Sequence, residues 1–281
     1  MSRDPAPRVL STPPGAPFLP TLADALLAGK LVPGFRLDGG DPLALSTVTI
    51  YLPTRRAARA LRSLFVEKSP AGSAILPTIR ALGEFDEELG LLDPSGAAAL
   101  DVAPPIADLD RLLALAPLVQ AWKSRLPAHV AALFEEEVVV PASAADALWL
   151  ARDLARLIDE METEGADWTR LAGLVDSDLA GWWQLTLEFL AIVTEYWPKA
   201  LAERQRSNPA AHRNAMIRAE AARLRRGGGF GPVIAAGSTG SIPATAELLA
   251  TIARLPEGAV VLPGLDKRLD EEAWTLLGEP S

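Results

Sequence analysis

The sequence contains no cysteine. Disulfides, thiolate-bound zinc and Cys-ligated iron–sulfur clusters are therefore excluded. Histidine is almost as scarce. His129 and His212 are too few and too far apart in sequence to suggest a metal centre or a Ser-His-Asp set, and they read as surface or capping residues. No Asp/Glu-x-Lys triplet occurs to complete a nuclease site of the PD-(D/E)xK type. Basic residues are outnumbered, 27 against 36 acids, for a net charge of −9. That balance excludes a general nucleic-acid coat protein but leaves room for a local basic groove. No apolar run approaches the ~20 residues needed to span a bilayer, and Met1-Ser-Arg-Asp-Pro lacks the apolar core of a signal peptide. The expected location is the cytoplasm, with no membrane partner.

Apolar residues make up 49% of the 281 and charged residues 22%, enough for a sizeable core in one large or two modest domains. Arg8-Val-Leu-Ser-Thr12 reads as a short strand stopped by Pro13-Pro14-Gly15. Phe18, Leu19, Leu22, Ala25 and Leu26 then recur at helical spacing, and Gly29 supplies an end signal. Val48-Thr-Ile-Tyr-Leu52 is a buried strand, and Pro53-Thr54 opens a helix to about Val66. Strand, helix, strand, helix at this spacing predicts a parallel α/β sheet.

The middle of the chain changes character. From Pro104 to about Arg226 helical periodicity dominates, at Leu109, Leu112, Leu113, Leu115, Ala116 and Val119, and again over 144–161 and 179–201. The one brief strand-like run is Val138-Val-Val140. Six of the seven tryptophans fall here, which predicts a helical insertion with its own core. After the glycine run that begins at Gly227, strands resume at Pro232-Val-Ile-Ala-Ala-Gly237 and Gly258-Ala-Val-Val-Leu262. The expected architecture is one α/β domain interrupted by an all-helical subdomain.

Three motifs bear on chemistry. A working P-loop, G-x-x-x-x-G-K-[ST], cradles phosphate with backbone N–H groups, a lysine and a Mg²⁺-binding hydroxyl. The stretch at that position is Pro13, Pro14, Gly15, Ala16 and Pro17, and prolines have no N–H to donate. Gly29-Lys30 lies at the far end of the helix and is followed by Leu31. The stretch reads either as a degenerate nucleotide loop or as a proline-rich turn that never held phosphate. In the second motif Thr54 caps a helix on which Arg55, Arg59 and Arg62 share one face, with Arg56 beside them, while Ala58, Leu61 and Phe65 pack inward. Arginines there suit a nucleic-acid phosphate; the other reading, and the commoner case for such a face, is a solvated basic surface. The third is Gly237, Ser238, Thr239, Gly240 and Ser241, between a strand and a helix that starts at Ile242-Pro243. It reads either as an anion loop or as a structural turn; Ala236 stands where a Mg²⁺-binding acid would be expected. The acidic runs Glu84–Glu88 and Glu135–Glu137 read as solvated faces.

Several blocks together resemble one family, the AddB subunit of bacterial AddAB helicase–nucleases in its alphaproteobacterial form. They are Thr12-Pro-Pro-Gly-Ala-Pro-Phe18, Leu31-Val-Pro-Gly-Phe35, Val48-Thr-Ile-Tyr-Leu-Pro-Thr-Arg-Arg-Ala-Ala-Arg59 and Leu76-Pro-Thr-Ile-Arg-Ala-Leu-Gly83. Asp159-Glu-Met-Glu-Thr-Glu-Gly165, Trp183-Gln-Leu-Thr-Leu-Glu-Phe-Leu190, Val233-Ile-Ala-Ala-Gly-Ser-Thr-Gly-Ser-Ile-Pro-Ala-Thr245 and Val260-Val-Leu-Pro-Gly-Leu-Asp266 follow in order.

The resemblance implies a P-loop NTPase, superfamily I helicase-like parallel sheet over 1–103 and 228–281, with 104–227 as the inserted helical subdomain. It puts Pro13 to Phe18 at the Walker A position and Ala235-Ala236 at the Walker B position. Thr54-Arg55-Arg56 takes the place of a single-strand-contacting motif. It further implies a partner, an AddA-type helicase–nuclease subunit that supplies the motor, and single- or double-stranded DNA in a complex that resects double-strand breaks. Within the family the AddB helicase region is not a motor and is associated with recognising a hotspot sequence in single-stranded DNA. The second motor-like domain and the nuclease domain are expected beyond this stretch, making it an N-terminal fragment. The expected role is a non-catalytic DNA-contacting and subunit-docking scaffold with no cofactor. The rival is a phosphate-ligand enzyme built on Gly237–Ser241.

Overall fold

In the computed structural model, which describes residues 6–35, 43–68, 75–82, 102–125, 143–168, 170, 186–187, 189–227, 231–265 and 270–278, the chain divides into two compact units. The first comprises Met1–Leu92 and Ile217–Ser281, the second Asp93–Met216.

The first unit is built on five strands: β1 (Val9–Thr12), β2 (Thr49–Leu52), β3 (Thr78–Ala81), β4 (Val233–Ala236) and β5 (Gly258–Pro263). Their order is β1-β5-β4-β2-β3, and every neighbouring pair is parallel. β3 escapes the sequence reading because Thr78-Ile-Arg-Ala81, with a charged Arg80 at its centre, lacks the apolar run that marks β2 and β4. Along β2 the side chains alternate. Ile50 and Leu52 face a core shared with Leu22, Ala23 and Leu26 of α1 (Phe18–Leu27) and with Ala58, Leu61 and Phe65 of α2 (Arg55–Glu67). Ile234, Ala236, Ala259 and Val261 complete that face. Tyr51 points the other way.

The described residues of the second unit are mainly helical, in keeping with the periodicity over 109–119 and 144–161. α3 (Asp108–Arg125) packs against α4 (Ala144–Glu164), with Leu115, Val119, Ala151, Leu154 and Ile158 buried between them. A capping box of Ser143 and Asp146 starts α4, and Gly165, at φ 64°, ends it. A π-turn over Ile192–Tyr196 leads into α5 (Trp197–Glu203), with Trp197 N–H donating to the Ile192 carbonyl five residues back. Pro198 has no N–H for an ordinary α-turn, and the wider turn accommodates it. Trp197 is buried and donates from Nε1 to Asn208 Oδ1 (2.8 Å). Trp149 is 65% exposed, so it does not join the core expected of the tryptophans. His212 is buried rather than at the surface, with Nδ1 2.9 Å from the Ala103 carbonyl.

The following helix, α6 (Pro209–Arg226), is continuous across the division between units, which falls between Met216 and Ile217 rather than at the glycine run. Ala221 and Leu224, in its later half, are fully buried. After β4 comes α7 (Pro243–Arg254), whose Leu248 and Ile252 are buried, and α8 (Glu271–Gly278) closes the described chain. Among the described residues no helix is long and apolar enough to cross a membrane. Val138-Val-Val140, His129, Trp182 and Trp183, and both acidic runs lie outside the described residues.

Gly258 starts β5 against the end of α7. A Cβ there would lie 1.9 Å from the Ile252 carbonyl oxygen, a backbone atom that cannot move aside alone. Gly258→Ala is expected to cost at least ~1–3 kcal/mol, read as a lowered urea midpoint at unchanged slope. An unchanged midpoint would contradict this packing.

Candidate functional site

Because all five strands are parallel, their carboxyl ends share one edge, where ligands of open α/β sheets bind. The crossovers fix which strands flank a crevice there. β1→α1→β2 and β2→α2→β3 advance toward the β3 side, with α1 and α2 on one face. β4→α7→β5 runs back toward β1, and a right-handed crossover then puts α7 on the opposite face. The neighbours β4 and β2 thus send their following helices to opposite faces. The switch point lies between the loop Gly237–Ser241 and the turn at Pro53-Thr54.

Phe18, the first residue of α1, is half-buried beside this point. A Cβ on Gly237 would sit 3.1 Å from Phe18 Cε1 and 3.6 Å from Pro53 Cδ. Gly237 has φ 79°, and its missing side chain is what lets the phenyl ring approach.

The loop after β1 is a tight turn. Ala16 N–H donates to the Pro13 carbonyl (3.2 Å), and Gly15 at φ 81° follows Pro14, the residue pattern of a type II turn. Pro13, Pro14, Gly15 and Pro17 are exposed and Ala16 partly so. Pro17 stands at the N-cap of α1 without a side-chain cap. Pro20 occupies the third helical position, so Phe18 and Leu19 hold the only backbone N–H groups of that first helical stretch before Thr21, whose N–H is already bonded to the Pro17 carbonyl. The turn is tied down from the far side by Gly264 N–H to the Thr12 carbonyl (3.1 Å) and Leu265 N–H to Ser11 Oγ (2.8 Å). Such a loop has few donors to cradle a phosphate.

The loop after β4 also turns donors inward. Gly237 N–H donates to the Val261 carbonyl (2.9 Å), and Gly240 N–H (φ 72°) reaches Ser238 Oγ (3.4 Å). Thr239 and Ser241 are exposed, Ser238 partly so.

After β2, Thr54 Oγ1 accepts from Ala57 N–H (3.2 Å) and caps α2. Arg55, Arg56 and Arg59 stand exposed on the first turns, at the sheet's carboxyl edge. Arg62, expected on the same face, is instead structural: its Nη2 donates to the Ile79 carbonyl of β3 (2.6 Å). Among the described residues no group of three or more His, Asp or Glu side chains is placed to hold a metal ion.

On the opposite face lies a polar cluster that the sequence reading missed. Tyr51 of β2 donates its phenol to Glu220 of α6, and both residues are buried. Arg223 grips the same carboxylate twice, Nε to Oε2 (2.6 Å) and Nη2 to Oε1 (2.7 Å), and Arg80 of β3 approaches at 3.4 Å. Burial alone would raise the Glu220 carboxyl. The hydrogen bonds from Arg223 and Tyr51, with the charges of Arg223 and Arg80, outweigh it and hold the group below its ordinary 4.5. Burial, then the Glu220 charge and hydrogen bond, push the Tyr51 phenol well above its ordinary 10.0. The cue was present: a tyrosine inside a buried strand needs a partner for its hydroxyl, and Glu220 precedes Arg223 by three on a helix. In the second unit burial raises the Glu162 carboxyl, offset only in part by the Asn208 side chain (Nδ2 to Oε1, 2.7 Å) and the charge of Arg111.

No family model matches the sequence, and no curated protein does either.

Glu220→Gln would leave Arg80 and Arg223 facing a neutral partner, so a loss of roughly 3–5 kcal/mol is expected at pH 7. A carboxyl lowered by folding contributes stability above pH 4.5 and loses it as pH falls through its folded value. The gap between parent and variant in urea unfolding should therefore shrink from pH 7 to pH 3. A gap independent of pH would show that the charge is not what matters.

Proposed function

We propose that this chain is a catalytically silent helicase-like module of the AddB type, a DNA-contacting and subunit-docking scaffold for a motor-bearing partner in double-strand break repair. The observation that carries the reading is the asymmetry of one sheet edge. The loop that would bind nucleotide phosphate is a proline turn, and Phe18 beside it packs against Gly237, while Arg55, Arg56 and Arg59 stand exposed on the same edge. Nothing in the first loop supplies a lysine, and β4 ends in Ala236 rather than an acid. The ordered blocks of the AddB resemblance support the same assignment of parts. The strand order also favours it, since the Arg-bearing turn after β2 and the loop after β4 flank the switch point.

In this reading the arginines neutralise backbone phosphates of single-stranded DNA. Affinity comes from released counterions and falls steeply with salt. The motor is in the partner subunit, so the module itself neither hydrolyses ATP nor cuts DNA.

Replacing Arg55, Arg56 and Arg59 together by Ala tests the DNA-binding role. Binding of an oligo-dT to the chain should weaken at least about tenfold at low salt. The slope of log K against log salt should fall by about 0.7 for each phosphate that is no longer neutralised, roughly two units in all. Unchanged affinity and slope would place DNA elsewhere or nowhere on this module.

A further inference from the structure

The helical unit carries a groove of about 440 Å³. Its apolar wall is Ile106, Leu113 and Ala114, and its charged groups are Asp110, Arg204 and Arg206. Leu113 is 56% exposed, and Leu109, one turn earlier on α3, is 67% exposed. The pair sits at i, i+4, so α3 presents a leucine stripe to solvent while Leu115 and Val119 serve the core.

The arginines are set by a strained turn. Arg206 N–H donates to the Leu201 carbonyl and Gln205 N–H to the Ala202 carbonyl, both at 3.0 Å, the two bonds of a Schellman motif ending α5. Gln205 occupies the left-handed position at φ 52°, which glycine normally holds. The residue after it usually packs an apolar side chain back onto the helix; here it is Arg206, exposed, with no hydrogen bond or ion pair from its side chain among the described residues. Arg204 donates to the Ala200 carbonyl (2.8 Å), which holds its stem beside the groove.

We propose that this groove docks an amphipathic helical segment of a protein partner, leucine-type side chains on Ile106, Leu113 and Ala114 and a carboxylate against Arg206 and Arg204. Charge complementarity selects the occupant: two guanidinium groups project from a protein of net charge −9, beside exposed leucines. Apolar anchors at i, i+3, i+4 on a helix match such a groove. A nucleic acid fits it less well. Among the described residues its lining holds no aromatic ring on which a base could stack, and its apolar wall offers nothing to a sugar–phosphate backbone. The proposal rests on the helical unit alone and stands apart from the DNA-contacting reading above.

The test uses a fluorescein-labelled peptide of about four helical turns, with leucine at i, i+3, i+4 and i+7 and glutamate flanking, titrated with the full chain at ~150 mM salt. Saturable binding is expected, weakened at least about tenfold by Leu113→Ser and by Arg206→Glu, each at an exposed position. A matched peptide with lysine for every glutamate should prefer the Arg206→Glu variant over the parent, a reversal that misfolding would not produce. No binding by the glutamate peptide, equal binding by both variants and the parent, or displacement of the peptide by oligo-dT would overturn the proposal.

Discussion

Parallel strands cannot be joined by a tight hairpin; each step needs a crossover that packs on the sheet, and the crossover has one hand. With strand order β1-β5-β4-β2-β3, that constraint sorts α1 and α2 onto one face and α7 onto the other. It gathers the loops after β1, β2, β4 and β5 at one edge, with a switch point between β4 and β2. Whatever this unit binds through its sheet, it meets that edge. What occupies it is Phe18 against Gly237, a proline turn with few donors, and exposed arginines. The edge thus combines a donor-poor turn with exposed cationic side chains.

The other face solves a different problem. The chain leaves the sheet after β3 and must return to start β4 beside β2, and α6 brings it back. Glu220 of that helix is sunk under Tyr51 and held by Arg223 and Arg80. A buried carboxylate in this position is tolerable only because every partner is present; removing one strands the others. Directional bonds fix the register of α6 against β2 more sharply than apolar packing by Ala221 and Leu224 alone would.

Much of this was legible in the residues. The alternation and apolar density of Val48–Leu52 fixed β2, and Thr54 with Ala58, Leu61 and Phe65 fixed the cap and inner face of α2. That Pro13, Pro14 and Pro17 offer no backbone N–H could be read directly. Tertiary relations could not. Arg62 shares a helical face with Arg55 and Arg59, yet only the position of β3 decides that it bonds Ile79 while they face solvent. β3 carries Arg80 where an apolar run would mark a strand, and Trp149 carries no local signal that separates it from the buried Trp197. The Tyr51–Glu220 pair lies 169 residues apart, beyond any spacing rule.

The central claim is that the sheet edge has given up nucleotide and kept a surface for phosphates along a chain. Titration of the full chain with Mg-ATP, followed by calorimetry, addresses it most directly. The account predicts no saturable binding at concentrations up to ~1 mM, the affinity range below which binding free energy drops under about 4 kcal/mol. Binding at micromolar affinity would mean that the edge forms a working phosphate site and would contradict it.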